Sequence, residues 1–254
     1  MVRLGQNFLS DPNLLDAIVR DAELGEEDVV LEVGAGEGVL SERLADVAAH
    51  LHAVELDRGL ADALAPLASQ PNVSLHWGDA MQLDFTMLRP QPTAMVANLP
   101  YSVATPVILR TIEQLPSLRS WTVMVQREIA ERLRAAPGGR TYGSPSVLAQ
   151  LACEVRLLRK VDPAVFKPRP RVDSAILALR RTGPGADPAT RELVRAAFAH
   201  RRKALARSVE HVRPGSLALV RAGLEQLGLA ADSRAEALSP DDFAALSAKL
   251  RDSD

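Results

Sequence analysis

Short apolar runs alternate with amphipathic segments along most of this chain. Runs bounded by turn residues are typical of buried strands, and apolar residues at intervals of three and four predict helices. The predicted strands cover residues 29–33, 51–55, 73–76, 94–97, 120–126, 154–161 and 174–179. The predicted helices before and between them cover residues 11–24, 39–49, 58–68, 105–115, 127–135 and 146–152. This alternation predicts an α/β fold with buried parallel strands.

The alternation ends at residues 182–188, a stretch that contains two Gly and two Pro. Such a composition is typical of a domain boundary. Beyond it the pattern predicts only helices, at about 189–209, 215–227 and 240–251. We therefore predict an α/β domain over residues 1–182 and a small all-α domain over residues 183–254.

The tetrapeptide Asn98-Leu99-Pro100-Tyr101 ends one predicted strand. Pro100 cannot donate to a strand ladder and keeps Leu99 out of the helical region. Ligands of open α/β sheets bind at this carboxyl edge. The Asn98 side-chain oxygen and the Leu99 carbonyl can accept hydrogen bonds from an exocyclic amine, and Tyr101 can stack on a base. An ordinary strand end with a turn proline explains the four residues equally well.

A glycine-rich loop joins the first predicted strand to a helix, an order typical of nucleotide-binding folds. Its spacing from Gly34 to Gly38 is G-x-G-x-G, whereas dinucleotide folds use G-x-G-x-x-G to seat a pyrophosphate. This difference disfavours a nicotinamide dehydrogenase. Glu32 and Glu37 flank the loop and disfavour an anion. S-adenosylmethionine, which has positive centres and no phosphate, fits these charges better.

Two further acidic residues follow predicted strands. Glu55 ends the second strand, 21 residues after Gly34, where a carboxylate accepts ribose hydroxyls in nucleotide-binding folds. Asp79 follows the third strand and can accept a hydrogen bond from an adenine amino group. Asp84 follows closely and is the poorer candidate. An ordinary surface acid at a strand end is the alternative for Glu55.

Composition narrows the class of protein. The 254 residues are 47% hydrophobic and 24% charged, as in ordinary globular proteins. We see neither a membrane span nor a signal peptide, and the single Cys153 argues against disulfides and a cysteine zinc site. We therefore expect a cytoplasmic protein. His50, His52 and His76 lack metal-ligand spacing, so no metal site is predicted.

Charge is divided unevenly along the chain. The net charge is -2, but residues 1–125 carry 7 basic and 17 acidic residues, and residues 126–210 carry 18 and 8. A strongly basic segment favours a polyanionic partner. Its candidate contacts are the segment 166–171, Arg140 and Tyr142 in the loop 137–145, and the run 200–203. A solvated helix face or a flexible loop is the ordinary alternative.

Several motifs occur together in a family-specific order. They are the segments 5–9, 32–36, 78–80, 98–101, 126–133 and 168–174, followed in the tail by 196–198 and 201–203. By these motifs the whole chain resembles the rRNA adenine N6-dimethyltransferases, most of all their bacterial small-subunit branch. The resemblance implies a Rossmann-like, seven-stranded class I methyltransferase domain followed by a helical RNA-binding domain.

The resemblance also implies an activity. The family branch transfers methyl groups from S-adenosylmethionine to N6 of two adjacent adenosines near the 3′ end of small-subunit rRNA. The implied substrate is rRNA within a pre-ribosomal 30S particle, and the implied enzyme is a metal-free monomer with a role in ribosome biogenesis. Antibiotic-resistance relatives that methylate large-subunit rRNA share the catalytic core, but the Tyr142-Gly143 loop and the tail favour the small-subunit branch.

Carried over by position, the resemblance implies a cofactor site. Asn7 and Leu9 would close over the cofactor, and Gly34 would lie beneath its methionine moiety. Glu55 would hold the ribose, and Asp79 would hold the adenine ring.

The resemblance implies a catalytic motif made of Asn98, Leu99, Pro100 and Tyr101, with Phe166 as a second stacking face opposite Tyr101. Asn98 would touch both cofactor and substrate. Two acceptors on the adenine N6 hydrogens would favour a pyramidal nitrogen whose lone pair faces the methyl group. No covalent enzyme intermediate is needed, because the sulfonium methyl is already a strong electrophile. A general base of high pKa is not required, and the sequence offers no obvious one.

Other activities share parts of this chemistry. An N6-adenine DNA methyltransferase would need a target-recognition domain, which the predicted helical tail supplies poorly. A glutamine N5-methyltransferase leaves the basic segment unexplained. A non-catalytic RNA-binding or assembly factor can keep the fold, although intact Glu55, Asp79 and Asn98 favour catalysis.

Overall fold

The computed structural model describes residues 8–251, and a seven-stranded sheet forms its centre. The strands are β1 (Phe8–Leu9), β2 (Val29–Val33), β3 (His50–Glu55), β4 (Val73–Trp77), β5 (Ala94–Asn98), β6 (Ser120–Gln126), β7 (Cys153–Val161), β8 (Phe166–Lys167) and β9 (Ser174–Arg181). The sheet order is β4-β3-β2-β5-β6-β9-β7, and β1 pairs separately with β8. Strands β2 to β6 are parallel, and β9 is antiparallel to β6. The predicted seven-stranded α/β fold is confirmed.

Helices connect most of these strands and form the part of the chain after β9. They are α1 (Pro12–Ala22), α2 (Val39–Ala45), α3 (Ala61–Ala68), α4 (Ala104–Gln114), α5 (Arg127–Leu133), α6 (Ser144–Gln150), α7 (Pro188–Ala199), α8 (Leu205–Val212), α9 (Leu217–Gln226) and α10 (Pro240–Arg251). Between residues 8 and 251, no helix is both long and apolar enough to cross a bilayer.

Local sequence explains where α1 begins and ends. Asp11 accepts a hydrogen bond from the Leu14 N–H at 3.1 Å, and Pro12 occupies the first turn. The helix ends at Ala22, two residues before the predicted end, because Glu23 adopts a φ of 50° and its N–H bonds to the Arg20 carbonyl.

The strands at the middle of the sheet are buried on both faces, as is usual for parallel strands covered by helices. All five residues of β2 are buried. Val33 at its end pairs with Val54 of β3, and β5 pairs on the other side of β2. The carboxyl ends of β2, β3 and β5 therefore lie side by side.

The structure divides into two compact units. The sheet unit contains residues 8–130 and 155–181, and the helical unit contains residues 131–154 and 182–251. The predicted division placed residues 131–154 in the first domain, whereas their contacts lie with the helical unit. Tyr142 shows why, since its fully buried hydroxyl donates to the Leu238 carbonyl at 2.9 Å.

The helix predicted over residues 189–209 is two helices, α7 and α8. The break is a turn in which the Lys203 N–H bonds to the His200 carbonyl at 2.8 Å. The Ser208 hydroxyl stabilises it by donating to the Ala196 carbonyl and accepting from the His200 N–H. The sequence has neither Gly nor Pro at this break, so the local pattern does not reveal it.

Candidate active site

A cavity of about 400 Å³ opens at the carboxyl ends of β2, β3 and β5. It lies where the strand order reverses direction, the usual ligand position in open α/β sheets. Eight of the predicted site residues line it: Leu9, Gly34, Glu55, Asp79, Asn98, Leu99, Pro100 and Tyr101. Asn7 lies outside the described residues. Phe166 is not among the residues that line the cavity.

Gly34 brings the glycine loop against the catalytic tetrapeptide. Its φ is +85°, and a Cβ at this position would lie 3.2 Å from the Pro100 Cδ atom. The Gly34 N–H donates to the Val54 carbonyl at 2.8 Å, which ties the loop to β3. Both the backbone conformation and the close approach therefore require glycine here.

Phe8 covers the second glycine of this loop and was not predicted as a site residue. A Cβ on Gly36, whose φ is +59°, would lie 3.3 Å from the Phe8 ring. Phe8 lines the cavity together with Leu9. Within the segment 5–9, Phe8 and Leu9 are the residues that the structure describes, and both line the cavity.

Glu55 is 5% exposed, and three backbone N–H groups donate to its carboxylate. Oε2 accepts from Gly36, and Oε1 accepts from Leu56 and Asp57, each at 2.8 Å. A carboxylate has about four acceptor sites, so roughly one remains for a ligand. Glu55 therefore shapes the glycine loop in addition to lining the cavity, a role that its spacing alone did not indicate.

The two candidate aspartates after β4 have different environments. Asp79 lines the cavity, and its Oδ1 accepts from the Met81 N–H at 2.8 Å. Asp84 instead caps the following short 3₁₀ helix by accepting from the Thr86 N–H and hydroxyl, and these bonds lower its pKa. The structure therefore favours Asp79 as the residue that meets a ligand.

Glu32 lies in the cavity wall and is 1% exposed. Burial raises its pKa to about 8, against a smaller lowering by the Ser41 hydroxyl that donates to it, and the nearby Glu55 raises it further. From the sequence, Glu32 is expected to be an ionised carboxylate beside the glycine loop. In the structure, burial instead favours the neutral, protonated form of this carboxyl.

The tetrapeptide is held from two sides. The Leu99 N–H donates to the Met124 carbonyl of β6 at 3.0 Å, so the strand ladder continues to this residue. The Tyr101 hydroxyl lies 2.7 Å from the Ser174 Oγ of β9, and burial raises the tyrosine pKa. Asn98 and Tyr101 are partly exposed and line the cavity, so an acceptor and an aromatic face occupy one opening.

Phe166 does not reach this opening. It is 2% exposed and belongs to the same apolar cluster as Leu9, its pairing partner in the β1–β8 pair. The structure therefore does not bring the Phe166 ring to the cavity lining, and its role as a stacking face opposite Tyr101 stays a prediction. The short β1–β8 pairing was not visible in the local sequence pattern.

Some of the predicted RNA contacts of the helical unit are exposed, and one is buried. Arg140, Arg202 and Lys203 are exposed, whereas Tyr142 is fully buried and cannot contact nucleic acid. Arg201 donates to the Arg140 and Tyr142 carbonyls at 3.2 and 2.8 Å. Arg201 therefore also holds the 137–145 loop, and the exposed cations around it form a basic surface.

The histidines of β3 and β4 bond to one another and to neighbouring oxygens. His52 Nδ1 lies 3.0 Å from His76 Nε2, and His52 Nε2 lies 2.8 Å from the Pro90 carbonyl. Burial lowers the pKa of His52 to about 4. Across residues 8–251, no group of three or more His, Cys, Asp or Glu side chains is arranged to hold a metal ion.

Comparisons with known proteins identify relatives that act on ribosomal RNA. A family model described as ribosomal RNA adenine dimethylase matches residues 2–252. A ribosomal RNA small subunit methyltransferase A from Rubrobacter xylanophilus is 43% identical over 248 residues, covering 96% of this chain and 92% of its own length.

Two solved structures share the fold over nearly the whole chain. A dimethyladenosine transferase from Plasmodium falciparum superposes with a TM-score of 0.79 at 24% identity, covering 94% of this chain and 95% of its own. The 23S rRNA methyltransferase ErmE superposes with a TM-score of 0.69 at 28% identity, covering 96% and 100%. The sheet unit thus has the fold of the class I methyltransferases.

Proposed function

The chain belongs to the ribosomal RNA adenine dimethylase family, and we propose that it dimethylates two adjacent adenosines near the 3′ end of small-subunit rRNA. The observation that carries this proposal is the close approach of Gly34 to Pro100, which leaves little room for a Cβ at Gly34. It joins a nucleotide-type loop to an amine-accepting tetrapeptide in one cavity. The similarity to a small-subunit methyltransferase supports this choice of rRNA over large-subunit rRNA.

The cavity fits S-adenosylmethionine as the methyl donor. Gly34 lines the cavity, and a Cβ there would press on Pro100, so glycine lets the loop and the tetrapeptide lie close together in one cavity. Glu32 is a buried carboxyl bonded to the neutral Ser41 hydroxyl, which suits a ligand that brings positive charge. Glu55 and Asp79 both line the cavity, and in this proposal Glu55 accepts from a ribose hydroxyl and Asp79 accepts from the adenine amino group. When bound, this cofactor supplies the activated methyl group.

The tetrapeptide orients the target amine. The Asn98 amide oxygen and the Leu99 carbonyl accept the two N6 hydrogens, which favours a pyramidal nitrogen and stabilises its developing positive charge. Tyr101 stacks on the base, which has left any helix to enter the cavity. Phe166 is buried and does not line the cavity, so Tyr101 is the residue to which we assign stacking on the base. Positioning would supply much of the rate. After transfer, the surplus N6 proton would pass to water, so no dedicated base is needed.

The helical unit supplies RNA affinity. Its exposed cations Arg140, Arg202 and Lys203 suit phosphate contacts, whereas the first 125 residues are strongly acidic. We place the substrate within a pre-ribosomal 30S particle and the enzyme, as a monomer, in the cytoplasm where such particles assemble. A role in small-subunit biogenesis follows from acting on such a particle.

The test is a methyl-transfer assay with labelled S-adenosylmethionine on separate substrates. Undermethylated small-subunit particles, large-subunit particles and duplex DNA are each incubated with the protein, and the products are mapped by mass spectrometry. We expect dimethyladenosine at two adjacent positions of small-subunit rRNA and in neither other substrate. Label in large-subunit rRNA or in DNA would contradict the proposed substrate. Binding of S-adenosylhomocysteine and of small-subunit particles without transfer would favour an assembly factor instead.

A further inference from the structure

We propose that Arg110 is a positioning residue of the cofactor site, which holds the loop carrying Asp79 in its binding conformation. Arg110 lies on α4 and is not among the residues that line the cavity in the described part of the chain. The inference rests on the proposed function, because it takes the cavity to bind S-adenosylmethionine.

The loop after β4 is a compact turn built around Asp79. The Asp79 carbonyl accepts from the Gln82 and Leu83 N–H groups at 2.8 and 2.9 Å, and its Oδ1 accepts from Met81. These bonds set the local shape of the turn. Two other carbonyls of the turn, those of Ala80 and Leu83, take their hydrogen bonds from outside it.

Arg110 donates both of those bonds. Its Nη1 lies 2.7 Å from the Ala80 carbonyl, and its Nη2 lies 2.9 Å from the Leu83 carbonyl. The guanidinium carbon is 5.3 Å from the ring centroid of the fully buried Phe85, a distance at which the ring attracts the cation. A planar fork can satisfy two carbonyls in fixed geometry, whereas a lysine ammonium cannot reproduce that spacing.

The helix that carries Arg110 begins at Ala104, with two residues between it and the catalytic tetrapeptide. The Val103 N–H donates to the Pro100 carbonyl at 3.1 Å, so the start of α4 is fixed to that motif. Arg110 therefore connects the helix that follows the base site with the loop that meets the cofactor. Its bonds end on the Asp79 loop, so its loss should act first on cofactor affinity and much less on the transfer step.

The test compares Arg110→Gln and Arg110→Lys with a matched control, Arg89→Gln. Arg89 also donates to two nearby backbone carbonyls, those of Thr86 and Leu88, but to none in the Asp79 turn. The measurements are the Kd for S-adenosylhomocysteine by calorimetry, KM and kcat for methyl transfer, and the Tm of each protein without ligand.

We expect Arg110→Gln to weaken S-adenosylhomocysteine binding about tenfold or more, the effect of losing two bonds to carbonyls. KM for S-adenosylmethionine should rise by a similar factor. At saturating S-adenosylmethionine, kcat should change by less than about threefold, because the lost bonds act on cofactor binding. Arg110→Lys should recover part of the affinity, and Arg89→Gln should match the wild type. If Arg110 only stabilised the fold, Arg110→Gln would lower Tm, and KM would not rise while kcat stayed nearly constant.

Unchanged S-adenosylhomocysteine affinity in both folded Arg110 variants would overturn the inference and leave the proposed function intact. An equal loss in Arg89→Gln would also overturn it, since the effect would then be general to this region. If Arg110→Gln fails to fold, the affinity and Tm of Arg110→Lys decide the matter. Failure of the wild-type protein to bind S-adenosylhomocysteine would overturn the proposed function, and the inference with it.

Discussion

The two tyrosines of this chain lie in different units, and their side chains differ in exposure and in hydrogen bonding. Tyr101 in the sheet unit lines the cavity, is half-buried, and shares a hydrogen bond with Ser174. Tyr142 in the helical unit is fully buried, donates to the Leu238 carbonyl, and packs against the Phe198 ring. One ring is available to a ligand, and the other is a structural anchor.

Charged groups show the same contrast between the units. In the sheet unit Glu32 and Glu55 are buried, and backbone or hydroxyl donors hold them. In the helical unit Arg202 and Lys203 are exposed. Methyl transfer needs groups whose positions are fixed before the substrate arrives, whereas attraction of RNA needs charge that solvent and phosphates can reach. Mutations in the two units should therefore change different measured quantities.

The largest effect is expected for Asn98→Ala in the sheet unit. Loss of an acceptor that acts as N6 becomes pyramidal should slow methyl transfer by about 10²–10³, by analogy with oxyanion-hole donors. RNA affinity should stay near the wild-type value, because the basic surface is unchanged. Single-turnover rates and RNA binding, measured on the same preparation, check both statements. A near wild-type rate would show that the tetrapeptide has another role.

The parts of this site that follow from sequence are those set by local chain geometry. Gly34, Glu55, Asp79 and Asn98 each follow or end a strand that its own apolar residues predict. Parallel strands bring their carboxyl ends to one edge, so these residues converge on the cavity without further information.

The residues that sequence reasoning missed or misplaced depend on contacts distant in the chain. Phe166 is buried because β8 pairs with β1, and Tyr142 is buried because its hydroxyl reaches Leu238, 96 residues away. Arg110 was unremarked because an arginine on an amphipathic helix usually faces solvent. Phe8 becomes recognisable only when its ring is seen against Gly36.

The second prediction concerns the pH dependence set by Glu32. Its folded pKa of about 8 lies above the ordinary glutamate pKa of 4.5, so the folded state binds this proton more tightly than the unfolded state. The stabilisation is therefore complete below about pH 4.5 and is lost as the pH rises towards 8, by up to roughly 1.4 kcal/mol per pH unit. Glu32→Gln keeps a neutral side chain of the same size and should flatten this decline.

Tm measured across this pH range tests the expectation, with Glu37→Gln as the control. Glu37 is an exposed acid of the same loop and lines the same cavity. Its variant should follow the wild-type curve. Glu32→Gln should also bind S-adenosylmethionine more weakly above neutral pH, because a carboxylate is no longer available for the cation. Parallel Tm curves for wild type and Glu32→Gln would contradict the assigned proton.

The third prediction tests the helical unit through Arg201→Glu combined with Arg202→Glu. Each lost phosphate contact should reduce the salt slope of RNA binding by about 0.7–0.9, so affinity at low salt should fall roughly tenfold. The single variant Arg202→Glu separates charge from loop disruption, since Arg201 also holds the Arg140 and Tyr142 carbonyls. Affinity for S-adenosylhomocysteine should not change. An unchanged salt slope would mean that this stretch is only a solvated turn.

The smallest effects on transfer are expected from the matched pair Tyr101→Phe and Tyr142→Phe. Tyr101→Phe keeps the stacking ring and loses only the bond to Ser174, so the rate should fall severalfold at most, the effect of roughly 1 kcal/mol. Tyr142→Phe leaves the buried Leu238 carbonyl without its donor and should cost about 1–3 kcal/mol of stability with no change in rate per folded molecule. Tyr101→Ala, which removes the ring, should lose about 1–3 kcal/mol of base stacking. Unfolding curves and single-turnover rates for all three variants decide the comparison, and a Tyr101→Phe enzyme as slow as Tyr101→Ala would show that the hydroxyl, and not the ring, serves the reaction.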